Sequence, residues 1–251
     1  MADAGTSPEG MEDGRIIYGE TLQLDVLLNL QGKLASGGDD LFFIVLHQTH
    51  ELWFKELLYE LERARDHITV DALDSASGQL RRVRAIEELL TAQLLSMMTL
   101  SVEGFAALRE RLGTSSAFQS AQFREIEFVS GLKDPRYLSG DWFSRAERAR
   151  LRRRYREPSI RSAFDDLLAR RGVVDLFTSL RRDPEGELRG IVEGLVAHDE
   201  GLRDWRTRHV EMAGRLIGDS AGTGGTSGIP YLRSRRKTAV FPELRAVLDR
   251  L

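Results

Sequence analysis

The sequence predicts an all-α protein, on two observations. Apolar residues recur at steps of three and four along most of the chain, and no segment sustains the period-2 alternation of β-branched residues that a strand requires. In ETLQLDVLLNLQGKL, from Glu20 to about Leu34, Leu22, Val26, Leu27 and Leu30 mark a first helix. Asp39 and Asp40 are acidic residues suited to a helix N-terminus, and they open a second, running through LFFIVLHQTHELWFKELLYELERARDHI and expected to be deeply buried in its first half. After a turn at Thr69 to Asp74, the stretch Ser75 to Leu100 places Leu80, Val83, Ile86, Leu89, Leu90, Leu94 and Leu95 on one side of a third long helix. Shorter helices are predicted over 102–112 and 116–130, around a Gly-Thr-Ser-Ser turn at 113–116. Beyond Pro135 they are predicted over 143–156 and 159–171, separated by Pro158, and over 174–181. Gly186 to Ile217 is strongly helical, and it ends at the glycine-rich loop Gly218 to Pro230. A last helix is expected around Pro242 to Leu251.

No repeat or low-complexity linker divides the chain, so residues 16–251 read as one domain behind a disordered acidic tail at 1–15. With 36 Lys plus Arg against 39 Asp plus Glu, bulk charge selects no partner. Cysteine is absent, which removes disulfides, zinc ribbons, iron–sulfur clusters and thiolate nucleophiles together. The start of the chain lacks the basic-then-apolar pattern of a leader, so the expected location is cytoplasmic.

Metal chemistry must therefore use His, Asp or Glu. His209 lies in the series Leu202, Trp205, His209, Met212, Leu216, in the middle of an apolar helical stripe. An imidazole there needs a partner for each nitrogen, and the spacing alone leaves open a core hydrogen bond or a metal. His47 shares a helix face with Phe43, four residues earlier, which suits either a pocket wall or a satisfied buried histidine. His-Gln-Thr-His-Glu at 47–51 follows neither zinc-protease order, and no histidine has the Glu three residues before it that a di-iron bundle needs. Phe105 and Arg109 are also four apart. A guanidinium fork beside a ring is what binding an aromatic amino acid would require, although Arg109 alone suits a surface ion pair. The glycine-rich loop lacks the P-loop ending and follows a helix, which fits a mobile closing loop with Thr223 as donor. The basic runs RARLRRRYR (148–156) and RSRRK (233–237) read as solvated helix faces, and no nucleic-acid or membrane partner is expected.

Several stretches taken together resemble the tryptophan 2,3-dioxygenase family. They are YGETLQLDVLLNLQ (18–31), LFFIVLHQTHELWFKELLYEL (41–61), RERLGTSSAFQSAQFREIEF (109–128), WRTRHVEMAGRLIGDSAGTGGTSGIPYLR (205–233) and FPEL (241–244), in family order. The resemblance implies an all-α helical bundle with one b-type heme, O2 as co-substrate, L-tryptophan or an analogue as substrate, and a homotetramer whose N-terminal helix reaches a neighbour's site. It implies His209 as the proximal ligand of the heme iron and His47 as the distal histidine facing the indole nitrogen. Phe43 and Phe105 would be pocket aromatics, Arg109 the carboxylate clamp and Thr223 a loop contact, with Tyr18 and Leu22 donated by the adjacent subunit. Heme with one histidine ligand leaves an open face for O2.

The chain departs from the family pattern in four places. Thr21 replaces a tyrosine, Ala117 a glycine, GGDD (37–40) a more usual His-Asp-Glu, and the stretch between Glu127 and His209 is shorter. The implied reaction is insertion of O2 across the indole C2–C3 bond to give N-formyl-L-kynurenine. The altered pocket positions keep open a monooxygenase of the same superfamily acting on tryptophan or a modified tryptophan, with a non-enzymatic helical binding protein as a third reading.

Overall fold

The computed structural model describes residues 11–12, 15–32, 38–113, 119–139, 141–218, 220, 222 and 226–251. The chain forms two compact units, one ending at Val45 and one running from Leu46 to Leu251. Helices dominate both, as the periodicity predicts.

The first unit contains the only strand pairing among the described residues, β1 (Met11–Glu12) antiparallel to β2 (Arg15–Ile16). The single helix expected over 20–34 is corrected to two short ones, α1 (Tyr18–Thr21) and α2 (Leu24–Leu27). They are broken by Gln23, whose φ of 52° is left-handed. The reason is energetic: neither helix has a buried residue, and four-residue turns without packing cannot propagate. Local side-chain bonds hold the turns instead, Thr21 Oγ1 to the Ile17 carbonyl at 3.0 Å and Gln23 Nε2 to the Glu20 carbonyl at 3.0 Å.

α3 (Asp40–Thr69) begins in this unit and continues through the second. Its burial is spread along both halves instead of concentrated in the first. Ile44, Leu46 and Phe54 are buried but Leu41, Val45 and Leu52 are exposed in the first half, and Leu57, Leu61, Ala64 and Ile68 are covered but Tyr59 is exposed in the second. A helix turns a continuous apolar run through 100° per residue, so such a run cannot all face inward.

After a turn in which Asp71 adopts a φ of 64°, α4 (Leu73–Met97) and α5 (Val102–Leu112) follow. Then come α6 (Ala121–Ser130), a 3-10 turn at Pro135–Leu138, α7 (Arg145–Arg156), α8 (Ile160–Arg170), α9 (Leu176–Arg182) and α10 (Glu187–Ile217). α11 (Ile229–Arg235) and α12 (Pro242–Leu248) complete the chain. α11 overlaps the expected loop only at Ile229 and Pro230, and its seven residues are too few for a periodic signal that would mark it as a helix. Serine caps start several of the helices. Ser101 accepts from the Gly104 amide and Ser120 from the Phe123 amide, and Ser144 forms a capping box with Glu147, each typically worth about 1 kcal/mol.

The principal core joins Phe54, Leu57 and Leu61 of α3, Leu80, Val83 and Leu90 of α4, Ile126 of α6, Phe164 of α8, Ile191 and Leu195 of α10, and Phe241. Glycines let α4 and α10 close on one another. A Cβ at Gly194 would sit 2.8 Å from Leu80 Cδ1, and one at Gly201 would collide with the Glu87 carboxylate. Glycine inside a helix costs about 1 kcal/mol against alanine, and here that cost is offset by close packing. α6 is covered on all sides although it carries Arg124, Glu125 and Glu127. The basic run on α7 supplies part of the compensation, because Arg150 and Arg154 reach Glu125 at 3.0 and 3.2 Å.

Candidate functional site

The site is built on the second half of α10. Trp205 and His209, one turn apart, stack with ring centroids 5.0 Å apart and planes 20° from parallel. Phe123 of α6 lies 4.7 Å from Trp205, and Phe54 of α3 packs edge-on to Trp205 at 6.2 Å. His50 meets Phe54 edge-on at 6.0 Å. Three helices thus line one aromatic wall beside His209.

Burial pushes the His209 pKa down to about 4, with the nearby His47, His50 and Arg124 adding to the effect. Its imidazole is therefore neutral at physiological pH and keeps a nitrogen lone pair for a metal. The residue is nevertheless only half-buried by accessible surface, so it is not sealed in the core. His50 is likewise held neutral, chiefly by burial, and its Nδ1 lies 2.9 Å from the Leu46 carbonyl. The Trp205 indole N–H is buried and has no hydrogen-bond partner among the described residues.

The residues singled out in the sequence fall into three groups. His47 and His209 are near enough for the charge of one to depress the pKa of the other. Phe105 and Arg109 are half-buried one turn apart on α5, which packs against α10. Phe43, Tyr18 and Leu22 belong to the first unit, with Phe43 half-buried near the start of α3, Tyr18 73% exposed and Leu22 47% exposed. Thr223 and Ala117 lie outside the described residues.

Comparison with known proteins places the sequence in a family. The family model for tryptophan 2,3-dioxygenase matches residues 2–175 and 169–249. The chain belongs to the tryptophan 2,3-dioxygenase family. Among curated tryptophan 2,3-dioxygenases it is 39% identical to that of a Nocardioides species over 94% of both chains. It is 37% identical to that of Herpetosiphon aurantiacus, over 92% of this chain and 97% of the relative. The protein of Burkholderia pseudomallei is 37% identical over 90% of this chain and 82% of its own.

Reading the sequence missed several members of the site. Phe54 and Phe123 carry no signal in the sequence because aromatic residues at helical spacing are ordinary core, and His50 enters the sequence reading only as a zinc candidate excluded by its motif order. Arg124 and Glu127 offered a usable signal: opposite charges three apart inside a run whose other members are mostly apolar. Arg124 packs its guanidinium carbon 4.3 Å from the Tyr137 ring and 5.3 Å from that of Phe123, behind the aromatic wall.

Proposed function

We propose that the protein is a heme-dependent dioxygenase that inserts both atoms of O2 across the C2–C3 bond of L-tryptophan, giving N-formyl-L-kynurenine. The observation that carries this reading is His209, a half-buried neutral imidazole stacked on a tryptophan, in a chain of this family.

The residues fit heme b. His209 presents the single nitrogen donor that the iron requires, and the aromatic wall of Trp205, Phe123 and Phe54 suits a flat apolar macrocycle. The buried indole N–H of Trp205 is a donor awaiting an acceptor. When bound, ferrous heme supplies the binding and activation of O2. The chain's own residues do the rest. His47 orients the substrate by accepting from the indole N–H, Arg109 clamps the carboxylate, and Phe43 and Phe105 exclude water around the ring. Thr223 contacts the ammonium and carboxylate end.

The assembly in this reading is a cytoplasmic homotetramer, with Tyr18 and Leu22 of one subunit completing the site of another. Its support is the exposed apolar surface of the first unit, including Ile16 at 78%, Tyr18 at 73% and Val26 at 58%. No single helix among the described residues is long and apolar enough to cross a membrane.

The deciding experiment is product mass after the reduced, heme-loaded protein turns over L-tryptophan under 18O2. A gain of two labelled atoms supports dioxygenation, and one labelled atom transfers the protein to the monooxygenase reading. No heme binding at all overturns both. Arg109→Ala is expected to lose about 1.5–3 kcal/mol of substrate binding, raising KM about ten- to a hundredfold at unchanged heme content. A KM within twofold of the parent would remove Arg109 from the clamp.

A further inference from the structure

The connection from α10 to α11 has little conformational preference of its own. Gly218, Gly222, Gly224, Gly225 and Gly228 all fall within eleven residues, and Gly218 and Gly228 sit at positive φ, 53° and 68°. The Gly222 amide donates to the Thr226 carbonyl at 3.0 Å. Where this segment sits is therefore set by its two ends. One end is the long helix α10. The other is α11, seven residues that cannot stand alone and in which Ile229 is the only fully buried side chain.

Two polar contacts fasten α11 to the helices around it. Tyr231 meets Tyr137 hydroxyl to hydroxyl at 2.8 Å, and Arg235 Nη2 donates to Glu127 Oε1 at 3.3 Å. The same Glu127 oxygen accepts from Arg206 Nη2 at 2.9 Å, while Oε2 accepts from Arg124 Nη1 at 2.7 Å. Arg206 also donates to the Thr238 carbonyl at 2.9 Å, beyond the end of α11. One carboxylate, 1% exposed, thus joins three arginines from three helices. Arg206 stands in the turn of α10 just before His209.

We propose that Glu127 is a positioning residue. It fixes α11, and with it the far end of the glycine-rich connection, relative to the turn of α10 that carries Trp205 and His209. Buried charge pairs are poor sources of net stability, but they tolerate few alternative partners and can specify one arrangement. Its consequence for tryptophan binding rests on the function proposed above, through Thr223; the anchoring itself does not.

The test uses the full-length, heme-loaded protein and two variants. Arg235→Met removes only the α11 arm, and Glu127→Gln removes the shared charge. In Arg235→Met, amide hydrogen exchange over Ile229–Arg235 is expected to rise about tenfold or more while exchange in α4 stays within twofold, and in Glu127→Gln the rise over Ile229–Arg235 is expected to exceed that in α4 about tenfold or more. KM for L-tryptophan is expected to rise about tenfold with kcat and Soret absorbance nearly unchanged in Arg235→Met, and Glu127→Asp is expected to restore part of the protection. Unchanged exchange over Ile229–Arg235 overturns the proposal, as does equal loosening of the whole molecule. A fall in melting temperature with KM unmoved would make Glu127 merely structural and also overturns it. If Glu127→Gln fails to fold, Arg235→Met decides alone. Should the parent protein prove inactive on tryptophan, the exchange result still stands for or against the anchoring.

Discussion

The two halves of α10 bury polar groups in opposite ways. In the first half, His198 is sealed beside α4, with Nδ1 2.6 Å from Glu87 Oε1 and Nε2 2.8 Å from Ser130 Oγ, which donates onward to the Ile126 carbonyl at 2.7 Å. In the second half, Arg206 meets Glu127 among two further arginines, next to the half-buried His209. The two glutamates respond differently. Burial raises the Glu87 pKa, and one histidine does not reverse that effect. Burial would raise Glu127 too, but Arg124, Arg206 and Arg235 overcome it and hold the carboxyl below its ordinary range. Burial alone therefore does not decide the charge state of a core carboxylate; the number of fixed cations does. A serine, histidine and glutamate in hydrogen-bonded series mean little when no substrate can reach them, whereas a lone histidine that is not sealed in the core can carry chemistry.

The contrast can be broken first at its two histidines. His209→Ala is expected to abolish heme binding, read as loss of the Soret band in protein that keeps its far-ultraviolet helical signal. A full Soret band in that variant would sink the ligand assignment. Glu127→Gln comes next. It leaves three buried guanidiniums without their carboxylate and should cost about 3–5 kcal/mol in chemical denaturation. A loss below about 1 kcal/mol would mean that water or another acceptor replaces the carboxylate.

Gly201→Ala tests the sealed half. The added methyl meets the Glu87 carboxylate at a crowded helix contact, so a loss of about 1–3 kcal/mol is expected, with heme content unaffected. Equal stability would mean that α4 and α10 are free to separate there.

The smallest effect is the sharpest discriminator, a pair of opposite pH slopes. Glu127 has a depressed folded pKa, so its contribution is complete above the unfolded carboxylate pKa of about 4.5 and is lost as pH falls through the folded value. Glu87 has a raised folded pKa. Its contribution is complete below about 4.5 and is lost as pH rises through the folded value. The stability gap between parent and Glu127→Gln should narrow on acidification, and that between parent and Glu87→Gln should narrow toward neutrality. Slopes of the same sign would refute the contrast.

Much of the fold was legible in the sequence. α3, α4, α5 and α10 begin and end within a few residues of their expected bounds, because long amphipathic periods and serine or acidic starts are local properties of the chain. His209 was marked as unusual because a polar ring interrupted an apolar stripe. The single helix expected over 20–34 failed because its apolar residues find no cover within their own unit, and periodicity carries no information about what covers a face. α11 escaped because tertiary bonds to Tyr137 and Glu127 hold a segment too short to hold itself.

The sequence by itself determined the all-α class, the absence of thiolate chemistry and the residues whose pattern carries the family. Only the tertiary structure decided which of two helix-borne histidines is sealed and which is half-buried, and that one buried glutamate answers to a histidine while the other answers to three arginines. The physical reason is range. Periodicity and capping act within a few residues, whereas desolvation and charge pairing depend on groups brought together from 20 to more than 100 positions apart, as His198 and Glu87 are at a separation of 111 residues.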